Sequence, residues 1–272
     1  MSSTLLKQIK QEIYEPLTII VNQSLNTGIF PDRLKIAKVL PIYKKGQETL
    51  LENYRPISIL PVLSKVIEKV MYLQIHQHFQ SNQLYYSSQY GFRESHSTEL
   101  AVLEIVDRII YNMDAGHTPI NIYMDLSKAF DTIDHNILIQ KLKYYGLNGI
   151  SLSLIKNYLS NRTQYVEIKD TKSFSLPIMT GVPQGSILGP LLFIIYINDI
   201  SCSSDLFDFI NYADDTTLYA TLKNGKHVRY APTETEMNTE LANINIWLKL
   251  NKLSLNISKT KCMIFHKPQK KL

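Results

Sequence analysis

The sequence predicts an α+β fold, with helices and antiparallel strands mixed along one chain. Three observations carry this. Long segments repeat apolar residues at helical spacing, and short β-prone runs lie between them. The two kinds of segment do not alternate regularly, as a doubly wound parallel sheet would require. One β-prone stretch, "FINYADDTTLY" at Phe209 to Tyr219, reads as a hairpin with two adjacent acids at its tip.

The elements follow in order. Leu5, Ile9, Ile13 and Leu17 share one helical face despite Pro16, and Gly28 is a stop signal. "IAKVLPIYKKG" (Ile36 to Gly46) is a short strand running into a basic turn. Leu60 to Asn82 is an amphipathic helix. A second helix follows Ser97, with Leu100, Leu103, Val106 and Ile110 in one stripe. Pro119 to Ser127 is a strand ending near Asp125. Asp134 stands at an N-cap position before a helix that Gly146 closes. Another helix covers Leu152 to Leu159, and "TQYVEIKD" with "KSFSLPIMTG" reads as a hairpin. An apolar helix follows Gly189, and Asp199 reads as a polar residue near its end. After the Asp-Asp hairpin come a helix over Thr235 to Leu250 and short strands near Leu255 and Ile264.

Composition sets outer bounds. A formal charge of +5 permits a polyanionic partner without requiring one. Cys202 and Cys262 are far apart and outside any zinc-ligand spacing, which fits a reducing compartment. The N-terminal stretch is too charged for a signal peptide. The longest apolar run, Ile187 to Ile197, is shorter than the ~20 residues that span a bilayer, so no membrane partner is expected. The sequons at Asn22, Asn161 and Asn256 are chance matches.

Asp214 and Asp215 pose the chemical question. Two acids in a turn are ordinarily just a solvated loop. Asp125 changes the reading, because it ends another apolar strand, "NIYMD". If that strand joins the hairpin in one sheet, three carboxylates converge on a site suited to two Mg²⁺ ions. The like charges are then tolerated because divalent cations neutralise them.

"YMDLSKAFDTIDH", "TGVPQGSILGPLLFIIYINDI" and "FINYADDTTLY" occur in the order of the palm motifs of reverse transcriptases. With "LPIYKKGQETLLENYRPISILPVLSKVIEKV" and "SQYGFRESHSTELAVLEI" upstream, the chain resembles the polymerase domain of a LINE-type (non-LTR) retrotransposon, from about Leu17 to His266. The resemblance implies a right-hand polymerase fold of fingers and palm, with an antiparallel palm sheet packed on helices and the thumb largely absent. It implies an N-terminal extension and fingers over residues 1–118 and a palm over 119–272, part of the fingers being contributed after the first palm strand. No endonuclease-like segment is found, so a fragment of a larger element is expected.

The same resemblance implies roles for single residues. Asp125, Asp214 and Asp215 match the metal-binding acids, with the Leu126 carbonyl completing one shell around two Mg²⁺ ions (or Mn²⁺). Phe130 matches the aromatic gate beneath the incoming sugar, where core packing is the plain alternative. Gln184 and Gly185 match residues lining the nucleotide pocket. Arg55 and Lys44 (or its neighbour Lys45) match cations that grip the triphosphate. Arg93 matches a template-contacting arginine, although Glu94 and His96 depart from the usual pattern around it. Lys259, with Lys261 as alternative, matches the lysine that protonates the leaving pyrophosphate. Asp131 reads as structural. The implied activity is RNA-directed DNA polymerisation, with RNA template, DNA primer and dNTP as partners, in the cytoplasm and/or nucleus. The alternative is a catalytically silent, nucleic-acid-binding remnant with the same fold.

Overall fold

The structure, a computed structural model, describes residues 3–169, 171–222 and 232–266. Asp170 at the tip of one expected hairpin, and the basic tail after His266, lie outside the described residues. The chain divides into two compact units, each assembled from two separate stretches. Unit 1 is Met1–Leu84 with Phe130–Phe193, and unit 2 is Tyr85–Ala129 with Ile194–Leu272.

Unit 1 opens with helices α1 (Ser3–Gln8) and α2 (Lys10–Thr27), the latter keeping Pro16 within it. Gly28 ends α2 in a left-handed conformation and returns its N–H to Ser24 O. Strands β1 (Ile36–Tyr43) and β2 (Tyr54–Ile59) pair antiparallel. Helix α3 (Val62–Ser81) buries Ile67, Met71, Ile75 and Phe79. After Phe130 the chain re-enters unit 1 through α5 (His135–Tyr144) and α6 (Gly149–Leu159). Asp134 caps α5 as its position predicts, accepting from Asn136 N at 2.9 Å and Ile137 N at 3.0 Å. Strand β4 (Thr163–Ile168) then lies parallel to β1, Ile36 facing Thr163, and takes the short strands β5 (Thr171–Lys172) and β6 (Leu176–Pro177) antiparallel. Strand β2 and the parallel β1–β4 pairing are additions to the sequence reading. Pro56 masks the first, and the second joins residues more than a hundred positions apart.

Helix α7 (Leu188–Tyr196) is apolar throughout and carries the chain from unit 1 to unit 2. Unit 2 is built on a four-stranded antiparallel sheet in the order β7-β8-β3-β9, formed by β3 (Thr118–Met124), β7 (Asp208–Tyr212), β8 (Asp215–Leu222) and β9 (Lys261–Ile264). Helix α8 (Glu234–Leu250) starts on a full capping box between Thr233 and Glu236 and buries Ile244 and Leu248.

Helix α4 (Thr98–Asp114) begins at Ser97 as expected, its hydroxyl accepting from Leu100 N. Its apolar stripe faces outward, however: Leu100, Leu103, Val106 and Ile110 are 41–54% exposed. The helix meets the sheet with polar side chains at i, i+4 and i+8. Arg108 lies over the Tyr219 ring and pairs with Glu104 and Asp208, while Asn112 Nδ2 donates to Tyr219 Oη at 2.8 Å.

Candidate active site

The site in unit 2 follows from strand register. β3 and β8 pair antiparallel from Thr118↔Leu222 to Met124↔Thr216, so the next step sets Asp125 opposite Asp215. On the other side of β8, Tyr212 pairs with Asp215, which leaves Ala213 and Asp214 as a two-residue turn. Asp125 and the distant Asp214–Asp215 pair therefore stand at one end of one sheet. Directly opposed residues have Cβ atoms about 4.5–5.5 Å apart.

The turn is held from beneath. Ala213 sits at φ +56°, a left-handed position unusual for alanine. The Oε1 atom of buried Gln89 accepts from Gly91 N at 2.8 Å and from Ala213 N at 3.3 Å. Gly91 has to be glycine for contact reasons alone: a Cβ there would lie 2.1 Å from Ala213 N. The segment "SQYG" is thus the floor of the acidic turn, a role nothing in its composition announces.

The electrostatics match the geometry. Partial desolvation, then the like charges of Asp214 and Asp125, push the Asp215 carboxyl above its ordinary value of 3.8. Asp215 is an exposed residue, so the like-charge contribution is the more informative part. Asp125 Oδ2 is buried and takes no hydrogen bond. Lys259 Nζ stands 3.3 Å from it as an ion pair, with the lysine side chain 67% exposed. Lys261 instead points its ammonium at Ser258 O, at 3.2 Å, so geometry separates the two candidate lysines. The Asp125 backbone is anchored by Asn256 N donating to its carbonyl at 2.8 Å, and buried Leu126 bridges to Leu255.

These residues fit a divalent cation. A buried carboxylate oxygen without a hydrogen bond, with further acids opposite and an exposed lysine as its ion-pair partner, is an anionic donor set with more negative than positive charge. Among the described residues no three His, Cys, Asp or Glu side chains are grouped closely enough to hold a metal ion by themselves. Mg²⁺ does not need one, since it keeps waters and substrate phosphates in its shell.

The other predicted residues lie mostly in unit 1. Lys44 and Arg55 are exposed on the β1–β2 ribbon. Arg55 faces Ile42, and Lys44 N bonds Asn53 O, so strand alternation puts Lys44 and Arg55 on the same face and Lys45 off it. Phe130 stacks on buried Phe193 with ring centroids 4.6 Å apart. The Pro183–Ser186 turn is bound to β2: Ser58 N donates to Gln184 O at 2.7 Å, and Gly185 at φ +127° leaves no room for a Cβ, which would meet Ser58 O at 2.4 Å. Arg93, in unit 2, is committed to its own loop. Its Nη1 donates to the carbonyls of Tyr86, Ser87 and Gln89, and its guanidinium covers the Tyr85 ring. Cys202 and Cys262 are free and exposed, and no described helix is long and apolar enough to cross a membrane.

The four-stranded antiparallel sheet of unit 2 thus carries all three acids at one end. The chain belongs to the reverse transcriptase (RNA-dependent DNA polymerase) family, whose profile matches residues 42–271, and within it to the LINE-type, non-LTR retrotransposon kind. It is 33% identical over 216 residues to a probable RNA-directed DNA polymerase from transposon BS of Drosophila melanogaster, covering 74% of this chain and 23% of that protein. It is 30% identical to the RNA-directed DNA polymerase from mobile element jockey of the same species, covering 76% of this chain and 24% of the relative. The chain therefore spans about a quarter of the length of these relatives. The fold matches a telomerase structure from Candida tropicalis, solved in complex with a telomeric RNA fragment, at a TM-score of 0.62 and 13% identity, over 94% of this chain and 45% of the other.

Proposed function

We propose that the chain is an RNA-directed DNA polymerase domain that adds dNTPs, as directed by an RNA template, to the 3′-OH of a DNA primer. The observation that carries this reading is the register that sets Asp125, with its orphaned Oδ2, opposite the Asp214–Asp215 turn. In this reading unit 2 contains the palm sheet, and the fingers comprise the chain up to residue 118 outside the palm, together with the segment that returns after β3.

Asp125, Asp214, Asp215 and the Leu126 carbonyl would hold two Mg²⁺ ions. Bound there, the metals would neutralise charge on the attacking and leaving oxygens. The chain's own side chains do the rest. Arg55 and Lys44 grip the triphosphate, the arginine bidentately and the lysine as a point charge. Phe130, backed by Phe193, lies beneath the sugar and excludes a 2′-OH. Gln184 and Gly185 line the nucleotide pocket, and Arg93 shapes the loop that meets the template. Lys259 delivers a proton to the departing pyrophosphate, which requires it to leave Asp125 first. Positioning and charge complementarity supply the rate, without a covalent enzyme intermediate.

Primer extension on an RNA template with Mg²⁺ tests the reading. Extension by wild type and its loss in Asp214→Asn support it. No extension by either, with duplex binding retained in both, supports the silent binding module instead.

A further inference from the structure

Two carboxylates outside the acidic site take hold of the Pro183–Ser186 turn from different directions, both within unit 1. Asp131 Oδ1 accepts from Gln184 Nε2 at 2.8 Å, across 53 positions of sequence. Glu68 Oε2 accepts from Ile187 N at 2.7 Å, across 119 positions, just before α7 begins. The remaining Glu68 oxygen accepts from Ser64 Oγ at 2.7 Å.

Glu68 is fully buried in the middle of α3, where an apolar side chain would pack at less cost. Burial pushes its carboxyl above the ordinary range, and the hydrogen bonds from Ser64 and Ile187, then the charge of buried Arg162, oppose that shift; Arg162 gives its own Nη1 to Tyr158 O at 3.0 Å. The turn closes on itself as well. Ser186 Oγ donates to Pro183 O at 2.8 Å and accepts from Gly189 N at 2.9 Å. The approach from β3 is equally fixed: Thr180 Oγ1 donates to Asp131 O at 3.1 Å, and Gly181 N to Ile133 O at 2.8 Å.

We propose that Asp131 and Glu68 are positioning residues for the incoming nucleotide: Asp131 orients the Gln184 amide, and Glu68 sets the turn that carries it. The inference rests on the reading of Gln184 and Gly185 as nucleotide-facing. An ionised carboxylate only accepts, so the amide edge on Asp131 must be the NH₂. Gln184 therefore turns its carbonyl oxygen away from Asp131, and the carbonyl and the second N–H are held in one fixed orientation. Without Asp131 the amide rotates freely and that orientation is lost.

The test is equilibrium binding of a fluorescent dNTP to the chain loaded with primer–template duplex, alongside KM and kcat for extension. Asp131→Ala weakens dNTP binding roughly tenfold, about the worth of one hydrogen bond to a charged group, with kcat nearly unchanged. Gln184→Ala does the same, and the double variant is no weaker than Gln184→Ala alone. Glu68→Leu weakens dNTP binding, whereas Glu68→Gln restores it, because its amide oxygen accepts from Ile187 N and its NH₂ donates to Ser64 Oγ. Leu138→Ala, a core truncation in α5, lowers the melting temperature without moving the dNTP Kd. Multiplicative losses in the Asp131/Gln184 pair, or a Glu68→Leu effect matched by Leu138→Ala at equal melting temperature, overturn the inference. A wild type that binds dNTP but never extends overturns the polymerase reading alone, and one that does not bind dNTP overturns both.

Discussion

At the scale of single residues, Lys259 and the three acids make the metal-free site a compromise. The Lys259–Asp125 pair is largely solvent-exposed on the lysine side, so it is worth only ~0–1 kcal/mol. It still places a cation on a buried carboxylate oxygen that lacks a hydrogen bond. A divalent ion entering the site has to displace it. Lys259→Met is therefore expected to bind Mn²⁺ more tightly in a paramagnetic titration, while, if Lys259 is the proton donor proposed above, extension slows by ~10²–10⁴-fold. Equal Mn²⁺ affinity in both chains would show that the lysine does not compete. Asp215 gives a second prediction. Its folded pKa lies above the ordinary 3.8, so ionising it costs stability as pH rises through and past that value, and the cost persists at neutral pH. Metal-free Asp215→Asn should melt above wild type at pH 7, with the gap closing below pH 3.8. Added Mg²⁺ should then raise the wild type more than the variant, since ligand binding stabilises the chain that binds better. A variant that melts lower at pH 7 without metal would contradict the like-charge account.

At the scale of elements, the acidic turn depends on its floor. Gly91→Ala inserts a Cβ 2.1 Å from Ala213 N, a backbone contact that no side-chain rotation relieves. Overpacking of this kind costs about 1–3 kcal/mol, so thermal melts should show a clear drop, and extension should fall with the displaced turn. Helix α4 is a second case. Its sheet-facing side chains are Glu104, Arg108 and Asn112, so Arg108→Ala should cost more than Leu103→Ala, the reverse of the usual core ranking. Denaturant midpoints of the two variants decide it. That helix also shows what the sequence holds and what it lacks. Periodicity groups Leu100, Leu103, Val106 and Ile110 on one face, but it does not say which way the face points. Local signals were legible: the helix start after Ser97, the Asp134 cap, the Gly28 stop, the β7–β8 hairpin and its two acids. Each depends on neighbours a few positions away. Gln89 under the turn, Asp131 on Gln184 and Glu68 on Ile187 have partners 124, 53 and 119 positions distant, and no spacing rule reaches that far. Strand β2 was hidden by Pro56, which is tolerated because β2 is the outer strand of its sheet.

At the scale of the whole molecule, charge is distributed by task. The acids stand in unit 2 at the end of β3 and β8, and the exposed cations Lys44 and Arg55 stand on the β1–β2 ribbon of unit 1. A net charge of only +5 sets limits on how such a chain holds a nucleic-acid duplex. Phosphate contacts release counterions, and the logarithm of affinity falls with the logarithm of salt at a slope of about −0.9 per phosphate neutralised. For about three such contacts the slope is near −2.7, and affinity for a primer–template drops roughly 40-fold between 50 and 200 mM salt. Fluorescence anisotropy over that range measures it directly. Arg55→Ala separates the two kinds of phosphate contact. If Arg55 grips the triphosphate of the incoming nucleotide, the variant raises KM for dNTP and leaves the slope for duplex binding unchanged. If it tracks the duplex backbone instead, the slope becomes shallower by about 0.9 while KM for dNTP stays near wild type. A slope near zero in the wild type would mean that the chain holds the duplex by something other than its phosphates, and the polymerase-groove reading would not survive that result.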